Sequence, residues 1–256
     1  MRLEFPSLIY EREGRLATIT FNRPERLNAF DYASKWDLKA ALTHAAEDEA
    51  VRVLAFRGAG RAFSAGIDLK DLSSGKIDER NFSLWEDCLR LIETMDKLAV
   101  ALIHGYALGS GVQLALACDL RIATPGTKLG IPAGREGLLP GLSIWRLAQF
   151  IGAGRARELA VLGHSVEGEE ALRIGLISAL VPEATREEGF REWTDKLLTL
   201  ASDGVRATRR AMNEVMGMRF EEAQATYMDY QRRGLASADF AEAMAAYREK
   251  RTPVWR

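Results

Sequence analysis

The 256-residue chain contains little cysteine and little histidine. It has two cysteines, Cys88 and Cys118, and three histidines, and none of these residues stand at the close spacing typical of zinc or redox motifs. A disulfide-rich scaffold and a zinc ribbon are therefore excluded. We expect a reduced, cytoplasmic protein without a metal site.

The chain also lacks an excess of charge of either sign and lacks a long apolar run. Its 35 basic and 36 acidic residues leave a net charge of -1, which gives no reason to expect a nucleic acid or an anionic membrane as a partner. No stretch approaches the length of a signal-peptide core or a membrane span, so we expect a protein that is neither exported nor inserted. No low-complexity linker is present, and we expect one main α/β domain.

The chain does have alternating strand and helix patterns. Apolar and polar residues alternate on both sides of Glu13 and Gly14, which predicts a β-hairpin. Asp31 is typical of an N-cap and predicts a helix through about Glu47. The later pattern predicts strands over 51–58, 99–103 and 119–123, and helices near 80–96, 110–117, 154–162, 167–174, 186–200, 203–216, 219–234 and 237–250. The C-terminal region is thus predicted to be helical.

Two glycine-rich stretches each follow a predicted strand. They are AFSAGIDL at 62–69 and GYALGSGVQLALACDL at 105–120. Gly66 frees the backbone for a tight turn before Ile67, and Ser110 opens a helix whose first N–H groups have no partner within the helix. Two such N–H groups can stabilise an oxygen that gains negative charge during a reaction.

Together with FNRPERLNAF at 21–30 and EKRTPVW at 249–255, these stretches resemble the crotonase superfamily, also called the enoyl-CoA hydratase/isomerase superfamily. The resemblance runs through nearly the whole chain and implies an α/β fold, a crotonase-like spiral of ββα turns over residues 1–195. It further implies a helical trimerisation region over residues 196–256, and hence a homotrimer or a dimer of trimers. The implied partner is an acyl-CoA thioester, and no cofactor is implied besides the coenzyme A that is part of the substrate.

The resemblance also assigns site residues. Ile67 and Ser110 are expected to donate backbone N–H groups to a thioester oxygen that becomes an enolate. The residues expected to contact acyl-CoA lie in and around the motifs: Arg26, Leu27, Ala29, Ala65, Gly66, Asp68, Leu69, Lys70, Leu108, Gly109 and Ala133. The positive charges of Arg23, Arg26 and Lys70 are candidates for contacts with the phosphates.

The acid/base positions depart from the pattern of enoyl-CoA hydratases, which use two glutamates. Here Gln113 and Ala133 stand at those positions, and a glutamine amide has no proton that it can readily exchange. Glu136 is the nearest substitute carboxylate and is the candidate base, with Arg135 beside it to lower its pKa or to orient substrate. Ordinary hydration is not expected, and crotonyl-CoA should be hydrated slowly.

Several functions stay open at this point. The leading interpretation is an acyl-CoA enzyme, a lyase or isomerase, that stabilises a thioester enolate. The alternatives are an isomerase, decarboxylase, hydrolase or cofactor-free oxygenase acting on an aryl- or alicyclic-CoA, or a catalytically silent acyl-CoA-binding protein. Gln113 with PAGREGLLPG at 132–141 also resembles a cofactor-free dioxygenase of dihydroxyphenylacetyl-CoA, although that enzyme has an additional N-terminal region. His104 is interpreted as structural, and Asp119 as a hydrogen-bonding partner of the backbone.

Overall fold

The computed structural model describes residues 1–200 and 202–255, which contain two sheets and a series of helices. The strands are β1 (Arg2–Glu4), β2 (Leu8–Glu13), β3 (Leu16–Phe21), β4 (Val53–Gly58), β5 (Leu98–Ile103), β6 (Tyr106–Leu108), β7 (Leu120–Ala123), β8 (Lys128–Gly130), β9 (Ser165–Glu167) and β10 (Ala179–Leu180). The helices are α1 (Tyr32–Glu47), α2 (Leu69–Ser73), α3 (Glu79–Thr94), α4 (Ser110–Ala117), α5 (Ser143–Leu162), α6 (Gly168–Arg173), α7 (Arg186–Leu200), α8 (Asp203–Val215), α9 (Phe220–Leu235) and α10 (Ala238–Glu249).

The main sheet has the strand order β1-β2-β3-β4-β5-β7-β10. The predicted hairpin is confirmed: β2 and β3 pair antiparallel, and Gly14 makes the turn at φ 56°. From β3 onward the strands pair in parallel. Because the carboxyl ends of parallel strands lie at one edge of a sheet, the loops after β4 and β5 meet there. Phe63 N–H donates to the His104 carbonyl across this meeting point at 2.9 Å.

The central strands β4 and β5 of the main sheet are buried on both faces, as is usual for parallel strands. Side chains alternate along β4, so Leu54 and Phe56 belong to the core beneath α1 and α3. Val53 and Ala55 point the other way and pack in a second core with Phe190 of α7. The site-bearing loops are therefore held at the edge of a sheet that is fixed from both sides.

The predicted helices of the C-terminal region are confirmed by α6 to α10. The segment predicted as a helix from residue 154 is the second part of a longer helix, α5, which starts at Ser143. Gly152 interrupts α5 with φ 72°, a conformation that glycine tolerates and other residues seldom adopt. This break explains why the pattern before residue 154 does not continue the periodicity that follows it.

Helix α8 is fastened to the core through Arg209. Its guanidinium donates to Asp119 at 2.6 Å and to the carbonyls of Met95 and Ile92 at 2.6 and 2.5 Å. The other oxygen of Asp119 accepts from the Ala99 N–H at 2.7 Å. The interpretation of Asp119 as a structural hydrogen-bonding residue is confirmed.

Within the described part of the chain, no helix combines the length and the apolar character that crossing a membrane would require.

Candidate functional site

The loops after β4 and β5 are in contact at Gly66. Its φ is 95°, and a Cβ added there would lie 2.6 Å from the Leu108 carbonyl oxygen and 3.3 Å from the nitrogen of Ser110. Phe30 fixes the loop from the other side, because its N–H donates to Gly66 at 2.7 Å and its carbonyl accepts from Asp68 at 2.9 Å. Glycine is therefore required at position 66, and the residue after it, Ile67, is held in place.

The N–H groups of Ile67 and Ser110 have no acceptor within residues 1–200 and 202–255. Ser110 is the first residue of α4, where a helical N–H lacks an intrahelical partner, and Gly109 precedes it with φ 50°. Both residues line a cavity of about 420 Å³, called the central cavity below. Its apolar wall comes from Phe82, Trp85, Leu138, Leu139, Leu142 and Ile144.

The structure brings seven of the predicted site residues to the central cavity. They are Ala65, Ile67, Gly109, Ser110, Gln113, Ala133 and Glu136. The remaining predicted residues lie outside its lining, in the segments that flank it. They are Arg26, Leu27, Ala29, Gly66, Asp68, Leu69, Lys70 and Leu108.

Gln113 is held at both ends of its amide. Its Oε1 accepts from the indole N–H of buried Trp85 at 2.8 Å, and its Nε2 donates to the Pro140 carbonyl at 3.1 Å. Ala133 presents only a methyl group to the same cavity. The two positions at which a hydratase is expected to carry glutamates therefore offer a fixed amide and a methyl group, and neither can transfer a proton.

Glu136 is a half-buried free carboxylate of this wall, whereas the carboxylate of Glu79 lies at the exposed rim. It ends the short 3-10 turn Pro132–Glu136 and has no hydrogen-bond or ion-pair partner among the described residues. Burial raises the pKa of its carboxyl above the ordinary value. Arg135 does not lower this pKa, because its guanidinium turns away to the Leu162 carbonyl at 3.2 Å. The expectation that Arg135 lowers the pKa of Glu136 is wrong.

Among the flanking residues, three side chains are exposed and free to meet a ligand: Arg26, Leu69 and Lys70. Asp68 is buried. One of its oxygens accepts from the Lys70 N–H and so caps α2, and the other pairs with Arg23. Arg23 also pairs with Asp31 at 2.8 Å and donates to the Ala29 carbonyl. The expectation that Arg23 offers a free charge to phosphates is wrong, because its charge is neutralised within the fold.

Sequence reasoning missed three ionisable residues of the central cavity, Lys35, Glu86 and, at its exposed rim, Glu79. Lys35 lies in α1 with 1% of its surface exposed. It stands in the stripe of buried α1 residues with Leu38 and Leu42. A lysine at an apolar position of an amphipathic helix was the signal that could have revealed it. Glu86, by contrast, is paired with Arg146 at 2.7 Å.

Other polar groups nearby are structural. His104 is 3% exposed and its ring hydrogen-bonds the Gly60 carbonyl at 2.9 Å, which confirms its structural interpretation. Within the described ranges, no group of three or more His, Cys, Asp or Glu side chains is arranged to hold a metal ion.

Comparisons with known proteins cover almost the whole chain. The family model for enoyl-CoA hydratase/isomerase matches residues 11–256. Crotonyl-CoA hydratase of Syntrophomonas wolfei is 33% identical over 254 residues, 97% of each chain. The 1,2-epoxyphenylacetyl-CoA isomerase of Escherichia coli is 31% identical over 248 residues, 94% of this chain and 95% of its own. A solved enoyl-CoA hydratase structure from Bacillus anthracis matches with a TM-score of 0.91 at 29% identity, covering 97% of this chain and 98% of that one. The predicted fold class is confirmed by this match.

Proposed function

The chain belongs to the enoyl-CoA hydratase/isomerase family, and on that premise we propose that it is an isomerase that shifts a proton within the acyl group of a CoA thioester. In this proposal Ile67 and Ser110 form an oxyanion hole, and Glu136 carries the proton. Coenzyme A enters as part of the substrate, and the proposal needs no separate cofactor.

The observation that carries the proposal is the shared lining of the central cavity by Ile67, Ser110 and Glu136. Two backbone N–H groups without an internal acceptor are suited to bind the thioester oxygen. When a carbon of the acyl group loses a proton, negative charge moves to that oxygen and the two hydrogen bonds strengthen. A donor of this kind typically stabilises the transition state by about 2.7–4 kcal/mol.

Glu136 supplies the base in this scheme. Its carboxylate takes a proton from the carbon next to the thioester or, in an unsaturated acyl group, from the γ-carbon. The electron pair of the broken C–H bond passes into the dienolate that the N–H groups hold. The protonated Glu136 then returns the proton to the other carbon, so that the double bond has moved and nothing has been consumed. A raised pKa makes Glu136 both a stronger base and an acid closer to neutral pH.

One carboxylate favours a proton shift over hydration. The same group can take and return the proton of an isomerisation, whereas hydration also requires a second group to activate water. Gln113 is bonded to Trp85 and Pro140, and Ala133 has no polar atom, so neither supplies that second group. The E. coli relative bears the name of an isomerase and the S. wolfei relative that of a hydratase. We therefore take the isomerase as the better guide to the reaction class.

The contacts proposed between the flanking residues and coenzyme A rest on which of these residues are exposed. Arg26 and Lys70 are proposed to meet the phosphates of coenzyme A, because they flank the site and are exposed. Leu27, Ala29, Leu69 and Leu108 are proposed to contact its adenine and pantetheine parts through backbone and apolar atoms, with the Asp68 contact limited to backbone. We propose a cytoplasmic homo-oligomer, a trimer or a dimer of trimers, with no nucleic acid or membrane partner.

Exchange of acyl-CoA α-protons with D2O tests enolate formation without requiring the natural substrate. We expect the protein to exchange the α-protons of a short saturated acyl-CoA, followed by mass spectrometry, and to convert 3-enoyl-CoA to 2-enoyl-CoA. Glu136→Gln should lower both rates by about 10²–10⁴-fold and leave acyl-CoA binding intact. Glu79→Gln is the matched control, because it removes the same charge from an exposed residue of the cavity rim.

Three results would overturn parts of the proposal. If Glu136→Gln exchanges α-protons as fast as the wild-type protein, Glu136 is not the base. If only Glu79→Gln loses exchange, the base is Glu79 at the rim. Binding without exchange on any acyl-CoA supports a silent binding protein. Rapid hydration of crotonyl-CoA, seen as loss of enoyl absorbance, would show that a competent pair of acid/base groups exists despite Gln113 and Ala133.

A further inference from the structure

Lys35 is a buried cation in the wall of the central cavity. Its ammonium lies 5.8 Å from the ring centre of Phe82 and 5.4 Å from that of Trp85, both of which line the same cavity. Phe82 and Trp85 belong to α3, so Lys35 sits where α1 and α3 close one side of the cavity. Burial lowers the pKa of Lys35 to about 8, which leaves most of the side chain charged at neutral pH.

The hydrogen-bonding partners of Lys35 leave donors in surplus. Its ammonium donates to the side-chain and main-chain oxygens of Asn81 and to no other acceptor among the described residues. An ammonium only donates, so the Asn81 atom that faces it is the oxygen. The Asn81 amide nitrogen is consequently directed elsewhere, and it is buried without a partner. The ammonium has three N–H donors and Asn81 takes two of them, so Lys35, which lines the cavity, keeps a donor for a further acceptor.

The anions around Lys35 are engaged elsewhere. Asp31 caps α1 at Ser34 and pairs with Arg23. Glu86 accepts from the Leu142 N–H and pairs with Arg146. The thiol of Cys88 stays neutral because burial raises its pKa to about 12.

No carboxylate of the described residues bonds to Lys35, and a buried charge of this kind is costly until a counter-ion reaches it.

We propose that Lys35 binds a carboxylate at the far end of the acyl group, so that the substrate class is an acyl-CoA derived from a dicarboxylic acid. This inference rests on the proposed function of the central cavity as the acyl site. The apolar wall of Phe82, Trp85 and Leu138 would enclose the carbon chain between the thioester and the terminal carboxylate.

A carboxylate fits better than a neutral oxygen for a reason of charge. A hydroxyl or carbonyl group would satisfy a hydrogen bond but would leave the ammonium uncompensated in an apolar wall. A carboxylate compensates the charge of Lys35 and accepts a hydrogen bond from its ammonium, and such charge-assisted bonds are about twice as strong as neutral ones.

Glu136, whose negative charge would repel the carboxylate, is not among the charges that shift the pKa of Lys35. Lys35 belongs to α1 and Glu136 to the 3-10 turn Pro132–Glu136, so the proposed anchor and the base come from different elements of the cavity wall.

Matched acyl-CoAs test the proposal. Calorimetry compares mono-CoA thioesters of dicarboxylic acids with the monocarboxylic acyl-CoAs of the same length, from four to eight carbons. We expect at least one dicarboxylic thioester to bind at least tenfold more tightly than its partner. Lys35→Met should abolish this preference, and so should Lys35→Gln, which keeps N–H donors and removes the charge. Lys39→Met is the control, because Lys39 lies one turn further along α1 and pairs with Asp87 at the surface.

The outcomes separate this inference from the proposed function. Glu136→Gln should lose α-proton exchange and keep the carboxylate preference, whereas Lys35→Met should lose the preference and Lys39→Met should keep both. Equal affinity for the two series, or a preference that survives in Lys35→Met, overturns the role of Lys35. A preference that Lys35→Gln retains, together with tighter binding of hydroxyacyl-CoAs, overturns the carboxylate in favour of a neutral acceptor.

Discussion

Two ionisable side chains of the central cavity, Lys35 and Glu136, have their pKa values moved by burial toward neutrality. The pKa of Lys35 is lowered to about 8 and that of Glu136 is raised. Neither has an oppositely charged hydrogen-bonding partner among the described residues. In both cases the charged form is less stable in the folded protein than in the unfolded chain. Both residues thus lower the stability of the fold, which a purely structural residue would not be expected to do.

Replacing Lys35 by Met should stabilise the protein in a pH-dependent way. The pKa of Lys35 falls from 10.5 to about 8 on folding, so the unfolded chain binds more protons between these two values. The destabilisation is complete below pH 8 and disappears as the pH rises toward 10.5. We expect Lys35→Met to raise the free energy of unfolding at pH 7 by up to about 3 kcal/mol, and the gain to shrink at pH 10. Urea denaturation at both pH values measures it, and Lys39→Met should show no such trend.

At the scale of elements, the loops after β4 and β5 depend on glycine for their contact. Gly66 leaves no room for a side chain against Leu108, and its conformation is one that other residues seldom adopt. The position of Ile67 is thereby coupled to that of Ser110, although 43 residues separate them in the chain. The relative position of the two N–H groups therefore depends on the contact between Gly66 and Leu108.

Gly66→Ala should damage activity more than stability. The new methyl group would meet the Leu108 carbonyl at 2.6 Å, so the loop and the N–H of Ile67 must shift. Loss of one well-placed donor lowers rates by about 10²–10³-fold, and α-proton exchange should fall accordingly. Gly75→Ala is the control, because Gly75 has a similar φ of 72° and open space around it. Gly75→Ala should lower the free energy of unfolding by about 1–3 kcal/mol through backbone strain and should keep α-proton exchange. Equal loss of exchange in both variants would contradict the role of the contact.

Local patterns were sufficient for the hairpin, the helix capped by Asp31 and the helices of the C-terminal region. They also placed Ile67 and Ser110, because glycine spacing and helix starts are properties of short segments, whereas Gln113 was singled out by the resemblance to enoyl-CoA hydratases. Long-range partners could not be predicted.

The bonds of Gln113 reach Trp85 and Pro140, at sequence separations of 28 and 27 residues, and Lys35 meets Asn81 at a separation of 46. Such contacts decide which charges neutralise one another in the folded protein. The expectations that Arg23 offers a free charge and that Arg135 lowers the pKa of Glu136 were wrong for this reason.

At the scale of the whole molecule, the C-terminal helices expose large apolar side chains. Phe220 is 74% exposed, Tyr227 53%, Leu235 54% and Tyr247 83%. Surface of this kind on several successive helices is typical of a face that packs against another protein. It supports the proposed homo-oligomer, in which copies of the chain would cover one another's helices.

Light scattering coupled to gel filtration checks this assembly. We expect the mass of three or six chains of 28.4 kDa at micromolar concentration. The double variant Phe220→Ser, Tyr247→Ser should shift the equilibrium toward smaller species, because it removes exposed apolar surface from α9 and α10. Trp36→Ser, which removes a 50% exposed side chain of α1, should leave the mass unchanged. A wild-type protein with the mass of a stable monomer would contradict the proposed oligomer.

The two donors of the central cavity belong to the backbone, and this has an evolutionary consequence. The identity of the side chain at position 67 or 110 matters little to an N–H group, provided that it is not proline, which has none. Enolate stabilisation can therefore persist while the side chains of the wall change freely. Lys35, Gln113, Ala133 and Glu136 are side chains of that wall, and in the proposed mechanism a substitution among them would alter the substrate or the reaction and leave both donors in place.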